Sequence, residues 1–182
     1  SKNCDPLTEL LALEGIRLLG KNLPKIYQEK AKGIEAWDDM DQEAWSAVTL
    51  ASTYGGMVIH HAGVAAPHGL EHPASGLRNI THGRGLAALT PVICRRSIPS
   101  APDKYAEISR LLGGKDDTDC VMILEQLLKT LDLQTTLSKE GVSAEDVDWM
   151  TQNAFKVSAA SIQNHPKVFS EEEVKEIYLE AL

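Results

Sequence analysis

The sequence has 182 residues, of which 43% are hydrophobic, and a formal net charge of −8, which suits an acidic domain with an adequate core. This charge argues against nucleic acid and against an anionic membrane surface as partners, and no apolar run approaches the roughly 18 residues of a membrane span. The cysteines Cys4, Cys94 and Cys120 have no CxxC spacing, and the first ten residues lack the apolar segment of a signal peptide, so a reduced, cytoplasmic setting is favoured.

The predicted elements begin with three helices. Asp5 as an N-cap and Pro6 at the first helical position open the first helix, and Gly20 is predicted to end it. A short helix is predicted over 22–30 and, after a loop, a long helix over 41–61, where apolar residues recur at three-residue spacing.

Two further helices are predicted around a group of histidines. The first covers 65–76, and Pro73 is expected to kink it just after His72, because a proline ring clashes with the carbonyl four residues earlier. That earlier residue is Gly69, which has no side chain and can adjust its backbone. The second helix begins at Gly83 and runs through about residue 93.

The remaining pattern predicts helices to the end of the chain. They cover 102–112, 118–131, 143–155 and 170–181, the last two opened by capping-box sequences. No segment alternates in the manner of a strand bounded by turns. The sequence therefore predicts an all-α fold of about eight helices that occupies residues 1–182 as one domain.

Three of the six histidines lie within fifteen residues, at His68, His72 and His82. His68 and His72 are four residues apart, so on a helix their Cβ atoms lie roughly 6 Å from each other. His82 would be about 21 Å from His68 on an unbroken helix, but Gly76, Arg78 and Asn79 allow the chain to turn back. Converging imidazoles of this kind are typical of a transition-metal site.

Two other interpretations of these residues stay open. Residues His68 to His72 match H-x-x-E-H, in which both histidines bind zinc and Glu71 acts as the general base of a hydrolase. That interpretation gives no role to His82. The other alternative is a non-catalytic helical interaction module, which predicts no metal and unrelated positions for His68 and His82.

Several segments together carry a family resemblance. They read Gly55-Gly56-Met57, His61-Ala62-Gly63-Val64, Pro67-His68-Gly69-Leu70-Glu71-His72-Pro73 and, from His82 onward, HGRGLAALTP. With the flanking residues 3–18, 104–108 and 169–178, they resemble the iron-containing alcohol dehydrogenase family. The resemblance extends over essentially the whole chain and implies the helical, dehydroquinate synthase-like C-terminal domain of a longer protein, without that protein's N-terminal nucleotide-binding domain.

The resemblance also implies roles for the histidines. The family holds its metal with an Asp and a His on one helix and with two later histidines fourteen residues apart. Carried onto this sequence, the later pair is His68 and His82, and His72 matches a histidine implicated in proton relay beside the substrate. The first two ligands would precede Ser1. Glu71 occupies a position that is commonly small or apolar in the family, so its role is open.

The implied activity is the oxidation of a small alcohol, or the reduction of an aldehyde, by hydride transfer. The implied cofactors are Fe²⁺, with Zn²⁺ possible, and NAD or NADP bound through the absent N-terminal domain. A homo-oligomer is expected. Because two histidines form half a site, residues 1–182 alone are predicted to bind metal weakly and to have no dehydrogenase activity.

Overall fold

The computed structural model describes all 182 residues and contains nine α-helices and no β-strand. In chain order the helices are α1 (Pro6–Ala31), α2 (Gln42–Ala62), α3 (Ala66–Arg78), α4 (His82–Ser97), α5 (Pro102–Leu111), α6 (Cys120–Thr130), α7 (Val147–Val157), α8 (Ala159–Gln163) and α9 (Glu171–Ala181). The predicted all-α fold is confirmed, with one helix more than the eight or so expected. None of these helices combines the length and the apolar character that a membrane crossing requires.

The helices belong to two compact units. The α1 unit consists of Cys4–Ala62 and Pro102–Asp132, and it contains α1, α2, α5 and α6. The α3 unit consists of Ser1–Asn3, Gly63–Ala101 and Leu133–Leu182, and it contains α3, α4, α7, α8 and α9. All three histidines of the predicted metal site therefore lie in the α3 unit.

Two N-caps in the α1 unit are formed by aspartates, the predicted one at Asp5 and one at Asp41 at the start of the predicted long helix. The Asp5 carboxylate accepts the backbone N–H of Thr8 at 2.8 Å, and the Thr8 hydroxyl accepts the N–H of Asp5 at 2.9 Å. At the start of α2, the Asp41 carboxylate accepts the N–H of Ala44 at 2.9 Å. Each cap satisfies a backbone donor that has no partner within the helix, which contributes about 1 kcal/mol.

The predicted end of the first helix at Gly20 is wrong, because α1 continues past this residue to Ala31 and includes the segment predicted as a separate helix. Gly20 instead lies where α1 meets the end of α5. A Cβ atom at Gly20 would be 2.8 Å from Cδ2 of Leu112, so the glycine permits a close contact. Pro24 lies four residues further on, and its ring faces the carbonyl of this same unencumbered glycine.

The α3 unit is built around α3, which packs against α4, α7 and α8, while α9 packs against α4 and α7. The largest side chains buried in its core are Tyr178, Phe169, Leu70, Leu89, Ile93, Leu137, Met150 and Ile162. Burial of each aliphatic or aromatic side chain of this size contributes about 1.5–3 kcal/mol. This core fixes the backbone that carries the histidines.

A buried tyrosine joins the last helix to the histidine helix. The Tyr178 hydroxyl on α9 donates a hydrogen bond to the carbonyl of Leu70 on α3 at 2.6 Å. Burial raises the pKa of Tyr178, so the hydroxyl keeps its proton and remains a donor. The predicted capping box that opens α9 is also confirmed, with the Ser170 hydroxyl accepting the N–H of Glu173 at 3.3 Å.

His165 also lies in this unit and is only 4% exposed. The Ser97 hydroxyl donates to the carbonyl of Ile93 at 2.6 Å and therefore accepts the Nε2–H of His165 at 2.8 Å. Nδ1 of His165 has no hydrogen-bond partner, so the imidazole is held in its neutral form. Burial lowers the pKa of His165 to about 4.

Candidate metal centre

A three-residue turn between α3 and α4 brings His82 back toward α3. Asn79 adopts the left-handed conformation at φ 53°, and its N–H donates to the carbonyl of Ser75 at 2.8 Å. This is the backbone geometry that commonly ends a helix, and asparagine tolerates it better than most side chains. Ile80 is buried and anchors the turn, and its carbonyl oxygen lies 3.0 Å from the hydroxyl oxygen of Ser75. The predicted turn is confirmed.

α3 runs through Pro73 to Arg78, so the proline does not end this helix, and the kink expected just after His72 stays a prediction. Gly69, four residues before Pro73, carries no side chain that would add to the crowding. It also lies against α8, where a Cβ atom would be 3.0 Å from Cβ of Ser161. His68 and His72 consequently lie on one continuous helix, one turn apart.

The structure brings His68, His72 and His82 together. One ring nitrogen from each lies within 4.8 Å of the others. Nδ1 of His68 and Nε2 of His82 are 3.1 Å apart, and the ring centroids of His72 and His82 are 5.5 Å apart in a stacked arrangement. The sequence-predicted cluster is therefore a spatial cluster, in which His68 and His82 have the closest pair of nitrogens described.

The His68 and His82 pair fits a divalent metal ion. An ion bound about 2.1 Å from two imidazole nitrogens, at angles between about 90° and 110°, holds those nitrogens about 3.0–3.4 Å apart. The 3.1 Å separation lies in this range. Imidazole nitrogen suits iron and zinc alike, so the donor atoms agree with either metal.

The orientation of His82 is set from within the protein. His82 is the first residue of α4, and its side chain is 45% exposed. Its Nδ1 contacts Oε2 of Glu71, a residue of α3 whose side chain is 0% exposed. Because a carboxylate oxygen accepts, Nδ1 is the donor, and in the neutral form of the ring Nε2, the atom that faces His68, has the lone pair.

The other two imidazoles differ in exposure. His68 is half-buried, and burial, followed by the charges of His82 and His72, lowers its pKa. A lowered pKa keeps the imidazole neutral, which is the form that binds a metal. His72 lies in the exposed part of the cluster, where its ring can reach solvent.

The geometry does not support the hydrolase interpretation. A general base must reach water at the metal, but the Glu71 carboxylate is completely buried and contacts His82 and Ser75. His82, which that interpretation leaves without a role, lies in the cluster. The interaction-module alternative predicts unrelated positions for His68 and His82, and that prediction is wrong.

Ser75 and Gly85 belong to this site and are not identified by the sequence pattern. Ser75 lies four residues after Glu71 on α3, and its hydroxyl contacts Oε1 of Glu71. Gly85 is in the first turn of α4, where a Cβ atom would be only 2.8 Å from Cγ of Glu71. The i,i+4 spacing of Glu71 and Ser75 is a usable signal, but only once the burial of this helix face is known.

The chain is similar to one protein family over its whole length. The model described as "Fe-containing alcohol dehydrogenase family, C-terminal" matches residues 1–182. The 1,3-propanediol dehydrogenase of Citrobacter freundii is 27% identical, in a match that covers 100% of this chain and 46% of that protein. The NAD-dependent methanol dehydrogenase of Bacillus methanolicus is 24% identical, with 100% and 47% covered. The chain thus spans about half the length of these curated relatives.

Solved structures show the same fold. An archaeal halo-thermophilic alcohol dehydrogenase from a Red Sea brine pool superposes with a TM-score of 0.87 and 29% identity, covering 100% of this chain and 46% of that one. A 1,3-propanediol oxidoreductase also has a TM-score of 0.87, at 27% identity, with 100% and 47% covered. In both cases the similarity is to one part of a longer chain.

Proposed function

The chain belongs to the Fe-containing alcohol dehydrogenase family, and from this premise we propose that it is the metal-binding part of a metal- and NAD(P)-dependent alcohol dehydrogenase. One observation carries the proposal: Nδ1 of His68 and Nε2 of His82 lie 3.1 Å apart in a chain of this family. The proposed reaction converts a small alcohol to an aldehyde, or the reverse. It releases or takes up one proton and transfers one hydride.

His68 and His82 are the residues of this chain that would hold the metal. When bound, iron or zinc supplies a Lewis acid that stabilises negative charge on the oxygen of the alcohol. The contribution of the chain is to present two imidazole nitrogens at the required separation. The turn at Asn79, anchored by the buried Ile80, keeps that separation, because it fixes the start of α4 relative to α3 within this unit.

His72 is proposed to move the proton of the alcohol rather than to bind the metal. It is exposed, and its ring lies 5.5 Å, centroid to centroid, from that of His82. Imidazole is the side chain that ordinarily exchanges protons near neutral pH, and an exposed ring can pass them to water. His72 would therefore accept a proton beside the substrate during oxidation and return one during reduction.

The substrate in this proposal is a small primary alcohol or its aldehyde. Relatives that the chain resembles are named for 1,3-propanediol and for methanol, and one is named as a sulfoacetaldehyde reductase. The nicotinamide cofactor, NAD or NADP, would be bound by a separate nucleotide-binding domain of the parent protein. We also propose that the parent protein is cytoplasmic and forms a homo-oligomer. The metal chemistry depends on neither property.

The test is an assay of the complete protein that contains this chain. Alcohol-dependent reduction of NAD⁺ or NADP⁺ should disappear when a chelator removes the metal and should return with Fe²⁺ or Zn²⁺. His82→Ala should abolish the activity, while His60→Ala, a change at an exposed histidine of α2, should leave it intact. The 182-residue chain alone should be inactive. Full activity after complete metal removal would refute the proposal.

A further inference from the structure

Glu71 is a buried acid in the middle of the histidine cluster. It lies on α3 between His68 and His72, yet its side chain is 0% exposed while both histidines have solvent-accessible surface. Burial of a carboxylate away from water costs several kcal/mol unless hydrogen bonds replace its hydration. The contacts that replace it therefore indicate what the residue does.

Two side chains donate to the Glu71 carboxylate. Oε2 contacts Nδ1 of His82, and Oε1 contacts the hydroxyl of Ser75. One of these donors belongs to a proposed metal ligand on α4, and the other lies one turn further along α3. The carboxylate thereby joins the two helices at the point where His68 and His82 face each other.

The start of α4 is shaped to receive this carboxylate. At Gly85 a Cβ atom would be 2.8 Å from Cγ of Glu71, a contact so short that the acid would have to shift, and 3.0 Å from its Cδ, which is also tight. A glycine three residues after His82 thus leaves room for the acid. The side chain of Glu71 is a packed component of the site and not a mobile surface group.

We propose that Glu71 is the positioning residue of His82: its buried oxygen accepts the Nδ1–H of that imidazole and so keeps Nε2 as the lone pair that faces His68. This proposal rests on the proposed function for the identity of His82 as a metal ligand. A metal-bound histidine commonly donates its second ring N–H to a carboxylate, which fixes the tautomer and the orientation of the ring. Glu71 acts through His82 and contacts neither the substrate nor the metal.

The first test measures the tautomer of His82 in the metal-free 182-residue chain by long-range ¹H–¹⁵N NMR. We expect the Nδ1–H form in the unmodified chain and in Glu71→Gln, because the amide oxygen of glutamine can still accept this proton. Glu71→Ala should shift His82 toward the Nε2–H form. Finding Nε2–H in the unmodified chain would overturn the proposal, and this outcome does not depend on the folding of any variant.

The second test measures Co²⁺ affinity of the same three proteins from the visible absorption spectrum. Glu71→Ala should bind Co²⁺ about 10–100-fold more weakly, the usual effect of losing such a partner, and Glu71→Gln should stay within about threefold of the unmodified chain. Equal affinity in Glu71→Ala would overturn the positioning role. The same titration of the complete protein that contains this chain tests the proposed function, which fails if that protein binds no Co²⁺. The tautomer measurement decides the role of Glu71 in either case.

Discussion

Nδ1 of His68 and Nε2 of His82 lie 3.1 Å apart, although fourteen residues separate them along the chain. The ring centroids of His68 and His82 are 5.1 Å apart, whereas those of His68 and His72, which are only four residues apart on α3, are 6.3 Å apart. The pair that looks most like a chelate in the sequence is thus more widely spaced than the pair that the turn at Asn79 creates. The spacing agrees with the expectation that His68 and His82 bind the metal and that His72 carries protons.

His82→Ala should weaken metal binding much more than His72→Ala does. The first change removes one of two nitrogens at ligand separation and also removes one of the two donors to the buried Glu71 carboxylate. We expect at least about a tenfold loss of Zn²⁺ affinity in the 182-residue chain, since even the loss of an outer partner commonly costs that much. Isothermal titration calorimetry on the two variants measures the difference.

His60→Ala is the matched control for these two variants, because His60 is an exposed histidine on α2 and should leave Zn²⁺ affinity unchanged. If His72→Ala lost as much affinity as His82→Ala, His72 would be a metal ligand in this chain and its proposed role as a proton carrier would be wrong.

Gly85→Ala should destabilise the protein and disturb the site. The new methyl group would be 2.8 Å from Cγ of Glu71, whose carboxylate has no exposed direction in which to move. Overpacking of this kind costs about 1–3 kcal/mol of unfolding free energy. Urea denaturation followed by circular dichroism measures the change, and Co²⁺ affinity should fall as well.

Gly76→Ala provides the comparison for Gly85→Ala. Gly76 is also on a helix, but a Cβ atom there meets nothing within 4 Å. This substitution should be neutral or stabilise the chain by up to about 1 kcal/mol, because alanine restricts the unfolded state. Equal destabilisation by both substitutions would show that the contact with Glu71 is not the cause.

The sequence predicts the helices and the histidine cluster well because both depend on local patterns. Caps at Asp5, Asp41 and Ser170 use side chains within three residues of the helix start, so their positions can be predicted directly. Gly20 is different. Its structural role is to leave space for Leu112, which lies more than ninety residues away in the chain. In the local sequence, a glycine that permits such packing cannot be distinguished from one that ends a helix.

The role of Glu71 likewise cannot be predicted from the residues next to it in the sequence. Its neighbours His68 and His72 suggest a catalytic base, yet burial places its carboxylate against His82 and Ser75. Which face of α3 is buried follows from the packing of α4, α7 and α8 around it. The clustering of the three histidines can therefore be predicted from the sequence, while the contact of Glu71 with His82 requires the tertiary structure.

Tyr178→Phe should lower stability by about 1 kcal/mol without changing metal affinity. The hydroxyl of Tyr178 donates to the carbonyl of Leu70 at 2.6 Å inside the core, and its removal loses one buried hydrogen bond. Thermal and urea denaturation measure the loss. Tyr54→Phe, at a partly exposed residue of α2, should change stability much less. A loss of Zn²⁺ affinity in Tyr178→Phe would mean that this bond also positions the histidines.

The stability of the protein should decrease between pH 6.5 and pH 4 because of His165. Burial lowers the pKa of this histidine to about 4 in the folded protein, while its ordinary value is 6.5. Between these values the unfolded chain takes up the proton and the folded chain does not, so the unfolded state gains stability as the pH falls. The full difference corresponds to about 3 kcal/mol, which is present above pH 6.5 and lost as the pH approaches 4.

His165→Gln isolates this contribution. Glutamine can still donate to the hydroxyl of Ser97, which accepts from His165 at 2.8 Å, but it cannot take up a proton. The variant can be less stable at pH 7, yet its stability should fall less between pH 6.5 and pH 4.5 than that of the unmodified chain. His60→Gln, which changes an exposed histidine, should keep the original pH dependence. Urea denaturation at four pH values gives the comparison, and parallel curves for His165→Gln and the unmodified chain would contradict the assignment.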